Sequence, residues 1–241
     1  MDAPPPLLSI DGLRKAFGGV VALDGVSATV ERESITALIG PNGSGKTTLL
    51  NCATGLLRPD GGRVLHEGRE ITRLPTHRLI DLGIGRTFQL CRLFDTLTVM
   101  ENLLAAVPGG SSTASVRRGR AILESLDLAA LANEDAADLS YGQRKLVEFA
   151  RLLMRAPTCF FLDEPFAGIN PTLAQRLVKQ VRDLRARGAT FLIIDHSMAI
   201  LMELADRVLV LDQGRLIADG PPATIQQDRG VQEAYLGRRR S

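Results

Sequence analysis

Residues 35–47 read ITALIGPNGSGKT, an apolar run followed by a glycine-rich loop and a helical pattern. The loop from Gly40 to Thr47 matches G-x-x-x-x-G-K-[ST] in full, between a predicted strand and a predicted helix. Glycines let successive N–H groups curl around phosphate oxygens, Lys46 can reach the β- and γ-phosphates, and the Thr47 hydroxyl can ligate Mg²⁺. The alternative, a glycine-rich turn with an incidental lysine, leaves the full match in this context unexplained. This loop, called the P-loop below, predicts a nucleotide site.

The order of elements around the P-loop predicts an α/β fold. Short β-like runs separated by turns come before it and indicate an antiparallel β region. Alternating strand and helix patterns after residue 156 indicate a largely parallel sheet. We therefore predict a nucleotide-binding α/β core at 1–88 and 156–241, with a helical subdomain inserted at 89–155.

The inserted segment has the features of consecutive helices. Thr98 and Glu101 form a T-x-x-E capping-box pattern at the start of the first helix. Residues 108–115, PGGSSTAS, are a predicted connector, and a second helix is expected at about 116–131. A third helix is expected to follow LSYGQ at 139–143, which is called the signature motif below.

Composition excludes several classes of protein. The chain has 241 residues, 45% of them hydrophobic, and a formal net charge of +2 from 29 basic and 27 acidic residues. This near balance gives no general indication of nucleic acid or an anionic membrane as partner. Cys52, Cys91 and Cys159 lie far apart without CxxC spacing, so neither a disulfide framework nor a zinc site is expected. No segment reaches the roughly 18–20 apolar residues of a membrane span, so a membrane role would come through partners.

Two carboxylates follow the apolar run CFFLD. Asp163 ends this predicted strand and Glu164 comes next, before Pro165. A carboxylate at the carboxyl end of a buried strand beside a P-loop is placed to hold Mg²⁺. If the chain turns at the strand end, Glu164 can face the γ-phosphate and accept a proton from water. The alternative interpretation is an ordinary acidic junction between strand and loop.

Three further residues have both a structural and a functional interpretation. His196 follows the apolar run FLIID, where it is either a satisfied polar residue or a donor to the γ-phosphate. Gln89 is either a strand-end amide or a residue that positions water and Mg²⁺. Phe17 is either packed in a hairpin or stacked on an adenine ring.

The signature motif raises a separate question, because it resembles a second anion-binding helix start in a chain that already has a P-loop. Helix N-termini favour negative charge through their unpaired N–H groups and the helix dipole. The structural alternative is that Ser140 is an N-cap, and both roles are compatible.

The order of these motifs resembles the ATP-binding subunits of ABC transporters across nearly the whole chain, and LSxGQ between the P-loop and the DE pair is its most specific part. Within that family the chain resembles the branched-chain amino acid transporter ATPases. The stretches that carry this are FGGVVAL, GIGRTFQ, LFDTLTVMENL, DEPFAGINP and DGPPATIQQDRGVQEAYLG. Urea-type and lipopolysaccharide-export ATPases have overlapping motifs; RTFQ favours the amino-acid and urea branch, whereas DEPFAG and IIDH are closer to the export branch.

The resemblance implies ATP and Mg²⁺ as cofactors and a role for each matching residue. The nucleotide-binding residues would be Phe17, Gly40, Pro41, Asn42, Gly43, Ser44, Gly45, Lys46, Thr47, Thr48, Ser140, Gly142 and Gln143. The metal ligands would be Thr47, Gln89 and Asp163. The catalytic residues would be Glu164 as general base, His196 at the γ-phosphate and Gln89 at the attacking water.

The resemblance also implies partners and a location. Two ATPase subunits, the same or homologous, would form a head-to-tail dimer in which each signature motif closes over the nucleotide of the opposite P-loop. Integral membrane permease subunits would hold the dimer at the cytoplasmic face of the inner membrane, and no nucleic acid would be bound. Asn170 stands where ABC proteins generally have aspartate, as is usual in the branched-chain branch, and the segment from Glu101 to the signature motif is shorter than usual there.

Other classes of function fit less of the sequence. A soluble ABC ATPase acting on nucleic acid or ribosomes usually has two cassettes in one chain or a long coiled-coil insert, and the sequence has neither. A P-loop kinase or GTPase would leave the signature motif unexplained, and no NKxD-like base-reading motif is found. The sequence therefore favours a transport ATPase, with amino acids as the expected cargo.

Overall fold

The structure is a computed structural model that describes residues 5–87 and 92–236. Its strands are β1 Leu8–Phe17, β2 Val20–Val30, β3 Ile35–Ile39, β4 Gly61–His66, β5 Arg69–Glu70, β6 Ile84–Arg86, β7 Cys159–Asp163, β8 Thr190–Ile194, β9 Arg207–Asp212 and β10 Arg215–Gly220. Its helices are α1 Lys46–Ala53, α2 Thr76–Leu79, α3 Val99–Leu104, α4 Thr113–Ser125, α5 Tyr141–Leu153, α6 Pro171–Arg185, α7 Met198–Leu204, α8 Pro222–Gln227 and α9 Arg229–Leu236.

The strands form two sheets. The first has the order β2-β1-β4-β5 and is antiparallel throughout, as the sequence predicts for the N-terminal region. The second has the order β10-β9-β3-β8-β7-β6, and its neighbours are parallel except for the antiparallel pair β9 and β10. The predicted α/β class, with an antiparallel region and a mostly parallel sheet, is confirmed.

The three strands that lead to the candidate site are buried along their whole length. β3, β7 and β8 consist of five buried residues each, which agrees with their continuous apolar sequences. They are adjacent and parallel in the order β3-β8-β7. Their carboxyl ends therefore lie at one edge of the sheet, and the P-loop, Glu164 and His196 all follow at that edge.

Alternate residues of these strands pack into two different hydrophobic clusters. Leu38, Phe161 and Leu192 face a cluster that includes α1 and the antiparallel sheet. Phe160 and Phe191 face the other cluster, where their rings stack with centroids 4.6 Å apart. That second cluster also contains buried residues of α3, α4 and α5, so the helical segment shares a core with one face of the parallel sheet.

The helical segment agrees with the sequence in type and differs at its boundaries. Thr98 and Glu101 form the predicted capping box. The predicted connector 108–115 is too long, because α4 begins at Thr113, with Ser112 as an N-cap that accepts from the Ser115 N–H at 3.1 Å. The division into a core and an inserted subdomain at 89–155 stays a prediction. Within the described residues, no helix combines the length and the apolar character needed to cross a membrane.

Candidate nucleotide site

The P-loop joins the end of β3 to the start of α1 in a conformation that requires glycine at two positions. Gly40 has φ +151° and Gly45 has φ +107°. A Cβ at Gly40 would overlap the carbonyl oxygen of Leu211, and one at Gly45 would overlap that of Ala22. Gly45 is the N-cap of α1 and supplies no side-chain hydrogen bond, so the first N–H groups of this helix remain available to a ligand.

Polar side chains of the P-loop are buried without being fully satisfied. The Oγ of Ser44 is buried and has no hydrogen-bond partner among the described residues. Lys46 is buried, and its Nζ donates to the carbonyl oxygens of Gly40 at 2.8 Å and Pro41 at 2.9 Å. A buried hydroxyl and a buried ammonium beside uncapped N–H groups fit an anionic ligand, as expected for phosphates.

Four other residues predicted to bind nucleotide are less buried than Ser44 and Lys46, whereas Pro41 is buried. Asn42, Gly43 and Thr47 are exposed, and Thr48 is half-buried. A Cβ at Gly43 would meet no heavy atom within 4 Å, so this glycine borders open space. Thr47 lies in the first turn of α1, and its role as a ligand of Mg²⁺ stays a prediction.

Asp163 is buried at the carboxyl end of β7. Burial raises the pKa of its carboxyl group, and the Arg86 guanidinium opposes that rise. An Nη2–Oδ2 distance of 3.5 Å separates the two side chains, while the buried Oδ1 has no hydrogen-bond partner among the described residues. A carboxylate oxygen left without a donor fits a cation ligand, because Mg²⁺ is usually held by one or two carboxylates together with substrate phosphates.

Glu164 turns away from the strand, as the sequence analysis required. Its φ of +52° is in the left-handed region, which costs a non-glycine residue about 1–3 kcal/mol. Its N–H donates to the Ile194 carbonyl at 2.7 Å, and the Lys145 ammonium donates to its carbonyl oxygen. Its Oε1 lies 3.1 Å from Nε2 of His196. The structure therefore brings together the two residues predicted to act at the γ-phosphate.

Two contacts of this region were not predicted. Arg86, in the stretch GIGRTFQ, is buried and links Asp163 to Asn51 and Thr54 of the P-loop helix. Lys145, just after the signature motif, is buried and also donates to the Ala167 carbonyl at 2.8 Å. No local pattern identifies Lys145, which follows Gln143 and Arg144, whereas Arg86 is the one charged residue of the stretch GIGRTFQ.

The signature motif forms the start of α5 and satisfies its own polar side chains. Ser140 is the N-cap, and its Oγ accepts from the Gln143 N–H at 3.4 Å. The Gln143 side chain accepts from the Ser140 N–H at 2.8 Å, which completes a capping box. The predicted capping role of Ser140 is confirmed, whereas nucleotide contacts by Ser140, Gly142 and Gln143 stay predictions.

Exposure differs among the residues of the motif. Ser140 and Tyr141 are exposed, whereas Gly142 is buried. A Cβ at Gly142 would lie 2.7 Å from Cδ1 of Leu173, so this glycine allows α5 to pack closely on the start of α6. The side-chain hydrogen bonds of Ser140 and Gln143 stay within the motif and do not reach the P-loop of the same chain.

The other residues predicted for the site are Phe17 and Gln89. Phe17, at the end of β1, is 48% exposed, and the Lys15 ammonium lies 5.5 Å from its ring centroid. An exposed ring at a strand end is compatible with stacking on a base. Gln89, predicted to serve Mg²⁺ and water, lies outside the described residues.

Comparison with known proteins agrees with this geometry. The ABC transporter family model matches residues 23–167, and the model of the branched-chain amino acid ATP-binding cassette transporter matches residues 215–240. The high-affinity branched-chain amino acid transport ATP-binding protein BraF of Pseudomonas aeruginosa is 39% identical, over 96% of this chain and 98% of its own length. The corresponding LivG protein of Escherichia coli K12 is also 39% identical, with the same coverage.

Solved structures give the same result. A nucleotide-free ATP-binding cassette from an ABC transporter superposes with a TM-score of 0.89 at 39% identity, covering 97% of this chain and 100% of that one. A cassette in its ADP conformation superposes with a TM-score of 0.88, also at 39% identity. The chain therefore belongs to the ABC transporter ATPases, which bind and hydrolyse ATP, in the branch of the branched-chain amino acid transport ATP-binding proteins.

Proposed function

We propose that this chain powers the uptake of branched-chain or chemically related amino acids through separate permease subunits. The observation that carries the proposal is the similarity to BraF and LivG over 96% of the chain, together with the separate match at residues 215–240. Urea or amide uptake and lipopolysaccharide export remain the alternatives for the cargo.

In the proposed cycle the P-loop holds the triphosphate. The N–H groups from Gly43 to Thr47 and the Lys46 ammonium bind phosphate oxygens, and the Ser44 Oγ, which has no hydrogen-bond partner among the described residues, gains one. Phe17 stacks on the adenine. Thr47, Asp163 and Gln89 hold Mg²⁺, which would neutralise charge on the β- and γ-phosphate oxygens.

Hydrolysis in this proposal depends on Glu164. Its carboxylate takes a proton from the attacking water, and its left-handed backbone directs it out of the strand toward the site. His196 orients that carboxylate through the 3.1 Å contact. Because the His196 ring is half exposed, it can also turn toward the γ-phosphate once nucleotide is bound.

The complete site is proposed to form between two ATPase subunits. At the start of α5, Ser140 and Tyr141 are exposed, and Ser140 and Gln143 hydrogen-bond to each other, so this helix start suits a nucleotide presented by another subunit. ATP would join the two subunits, and hydrolysis would place like charges at the seam and separate them. Permease subunits would hold this dimer at the cytoplasmic face of the inner membrane, with no nucleic acid involved.

Reconstitution would test this proposal. The chain would be placed in proteoliposomes with the permease subunits and binding protein encoded beside its gene, and ATP hydrolysis would be measured with and without candidate cargo. We expect leucine, isoleucine or valine to stimulate hydrolysis and a Lys46→Ala chain to show none. Stimulation by urea alone would refute the amino-acid assignment, and hydrolysis that survives Lys46→Ala would refute the assignment of the P-loop.

A further inference from the structure

We propose that Arg86 is a positioning residue that sets the spacing between the Thr47 hydroxyl and the Asp163 carboxylate. The inference rests on the proposed function, in which these two groups hold Mg²⁺. It concerns the residues around the proposed metal site and gives a role to Arg86, to which the sequence motifs assign none.

The first support is the set of contacts that the guanidinium makes. Arg86 donates to the Asn51 Oδ1 at 2.6 Å and to the Thr54 Oγ1, both on the P-loop helix and its C-cap. Its Nη2 lies 3.5 Å from Oδ2 of Asp163. The Arg86 side chain is 6% exposed and that of Asp163 is 2% exposed, so the link is shielded from water. One buried side chain therefore connects α1 to the end of β7.

The second support is the position of these contacts on α1. Thr47, Asn51 and Thr54 are separated by four and three residues, which places them on one face of the helix. Because Arg86 holds two of these positions, it fixes how α1 is rotated about its axis. That rotation decides where the Thr47 hydroxyl, one turn earlier, points.

The third support is the orientation of the carboxylate. Arg86 faces Oδ2 of Asp163, and Oδ1 has no hydrogen-bond partner among the described residues. The Asp163 N–H donates to the Oγ1 of Thr87, the residue next to Arg86, at 3.2 Å. The carboxylate is thus held on one side, with the other oxygen available to a cation. A planar guanidinium can make these contacts simultaneously, whereas a lysine ammonium is a point charge without that geometry.

The alternative is that Arg86 only forms a buried ion pair with Asp163 and thereby stabilises the fold. The two interpretations differ in what the folded variants do. A structural role predicts lower thermal stability with unchanged metal affinity. A positioning role predicts weaker metal affinity in folded protein, because partners of metal ligands typically change affinity about 10–100-fold when replaced.

The test compares Arg86→Lys and Asn51→Ala with wild type and with Arg63→Lys. Arg63 pairs with Asp11 at an exposed site in the antiparallel sheet, so its variant controls for loss of a guanidinium elsewhere.

Mn²⁺ would serve as the probe, because it accepts the oxygen ligands that suit Mg²⁺. Binding of Mn²⁺ in saturating ADP would be measured by electron paramagnetic resonance. Affinity for ADP in excess EDTA and the melting temperature would be measured in parallel.

We expect Arg86→Lys to weaken Mn²⁺ binding by about 10-fold or more, Asn51→Ala to weaken it less, and Arg63→Lys to leave it unchanged. Metal-free ADP affinity should be retained in all of them. If Arg86→Lys does not fold, Asn51→Ala decides the question, because it removes one anchor and keeps the pair with Asp163. Wild-type Mn²⁺ affinity in the folded variants would overturn the inference and leave the proposed function standing. A wild-type chain that binds ADP without any Mn²⁺ would overturn both the inference and the proposed metal site.

Discussion

Two helices of this protein begin with glycine and serine nearby, and they differ in how their first turns are satisfied. α1 begins after Gly45, which provides no side-chain cap, and the neighbouring Ser44 hydroxyl is buried without a partner among the described residues. α5 begins after Ser140, which forms a complete capping box with Gln143. The start of α1 thus has a buried hydroxyl without a partner among the described residues, whereas at the start of α5 the exposed Ser140 is paired with Gln143.

In the proposed function, the start of α1 binds the chain's own nucleotide and the start of α5 acts on the nucleotide of another subunit. Around α1, the glycine conformations and the buried Lys46 belong to one chain and lie at the edge of its parallel sheet. At the start of α5, Ser140 and Gln143 hydrogen-bond to each other, and Ser140 and Tyr141 are exposed. A chain of this family would then contribute two different half-sites to a dimer.

We expect the largest effect from a substitution that removes the proposed general base and leaves both helix starts unchanged. Glu164→Gln keeps the shape of the side chain but cannot accept a proton near neutral pH. We expect ATP hydrolysis by the assembled transporter to fall about 10²–10⁴-fold, while ATP binding is retained. Steady-state hydrolysis within a few-fold of wild type would move the role of base to another residue, with His196 as the next candidate.

The next largest effect distinguishes the two helix starts by how a substitution at each changes the thermal stabilisation by Mg-ATP. A ligand at about 100 times its Kd stabilises the native state by about 2.7 kcal/mol. We expect Lys46→Ala to lose most of the thermal stabilisation by Mg-ATP, because its ammonium is the buried cation of the P-loop. Ser140→Asn, in the isolated chain, should keep it. Equal thermal shifts for wild type and Lys46→Ala would contradict the role of α1.

The sequence predicts those parts of the site that form from residues close together in the chain. It predicts few of the contacts between residues that are far apart in the chain. The P-loop is local: glycines at fixed spacing between a strand and a helix are sufficient. The meeting of Glu164 and His196 was predictable because each follows an apolar strand, and parallel strands end at one edge of a sheet. The Ser140 cap was predictable for the same local reason.

Other features depend on packing that no local pattern shows. Arg86 meets Asn51 and Asp163, which lie 35 and 77 residues away along the chain. Gly142, whose predicted contact with nucleotide stays a prediction, also packs so closely on α6 that an added Cβ would lie 2.7 Å from Cδ1 of Leu173. α4 starts before the predicted end of the connector because Ser112 caps it. Substituting Gly142 would therefore disturb packing, and Ser140 is the better position for testing the motif.

The smallest expected effect concerns the stability of the chain without nucleotide. Loss of an N-cap side chain costs about 0.5–2 kcal/mol, whereas asparagine and serine are comparable caps. We expect Ser140→Ala to lower the free energy of unfolding by about 1 kcal/mol and Ser140→Asn to change it little, measured by urea denaturation. Equal stability of the alanine variant and wild type would mean that the capping box contributes nothing measurable.

The central claim is that α5 acts on a nucleotide held by another subunit, and Ser140→Asp tests it most directly. Aspartate caps a helix about as well as serine, so this exposed position keeps its local structure while gaining a negative charge. Ser140→Asn is the matched neutral control. ATP affinity would be measured on the isolated chains and ATP hydrolysis on the assembled transporters.

We expect the isolated Ser140→Asp chain to bind ATP as wild type does. In the assembled transporter, Ser140→Asp should lose hydrolysis at the site that its motif completes, and Ser140→Asn should retain more of it. An isolated Ser140→Asp chain that loses ATP binding to the same extent as Lys46→Ala would show that the motif serves its own P-loop, which would contradict the account.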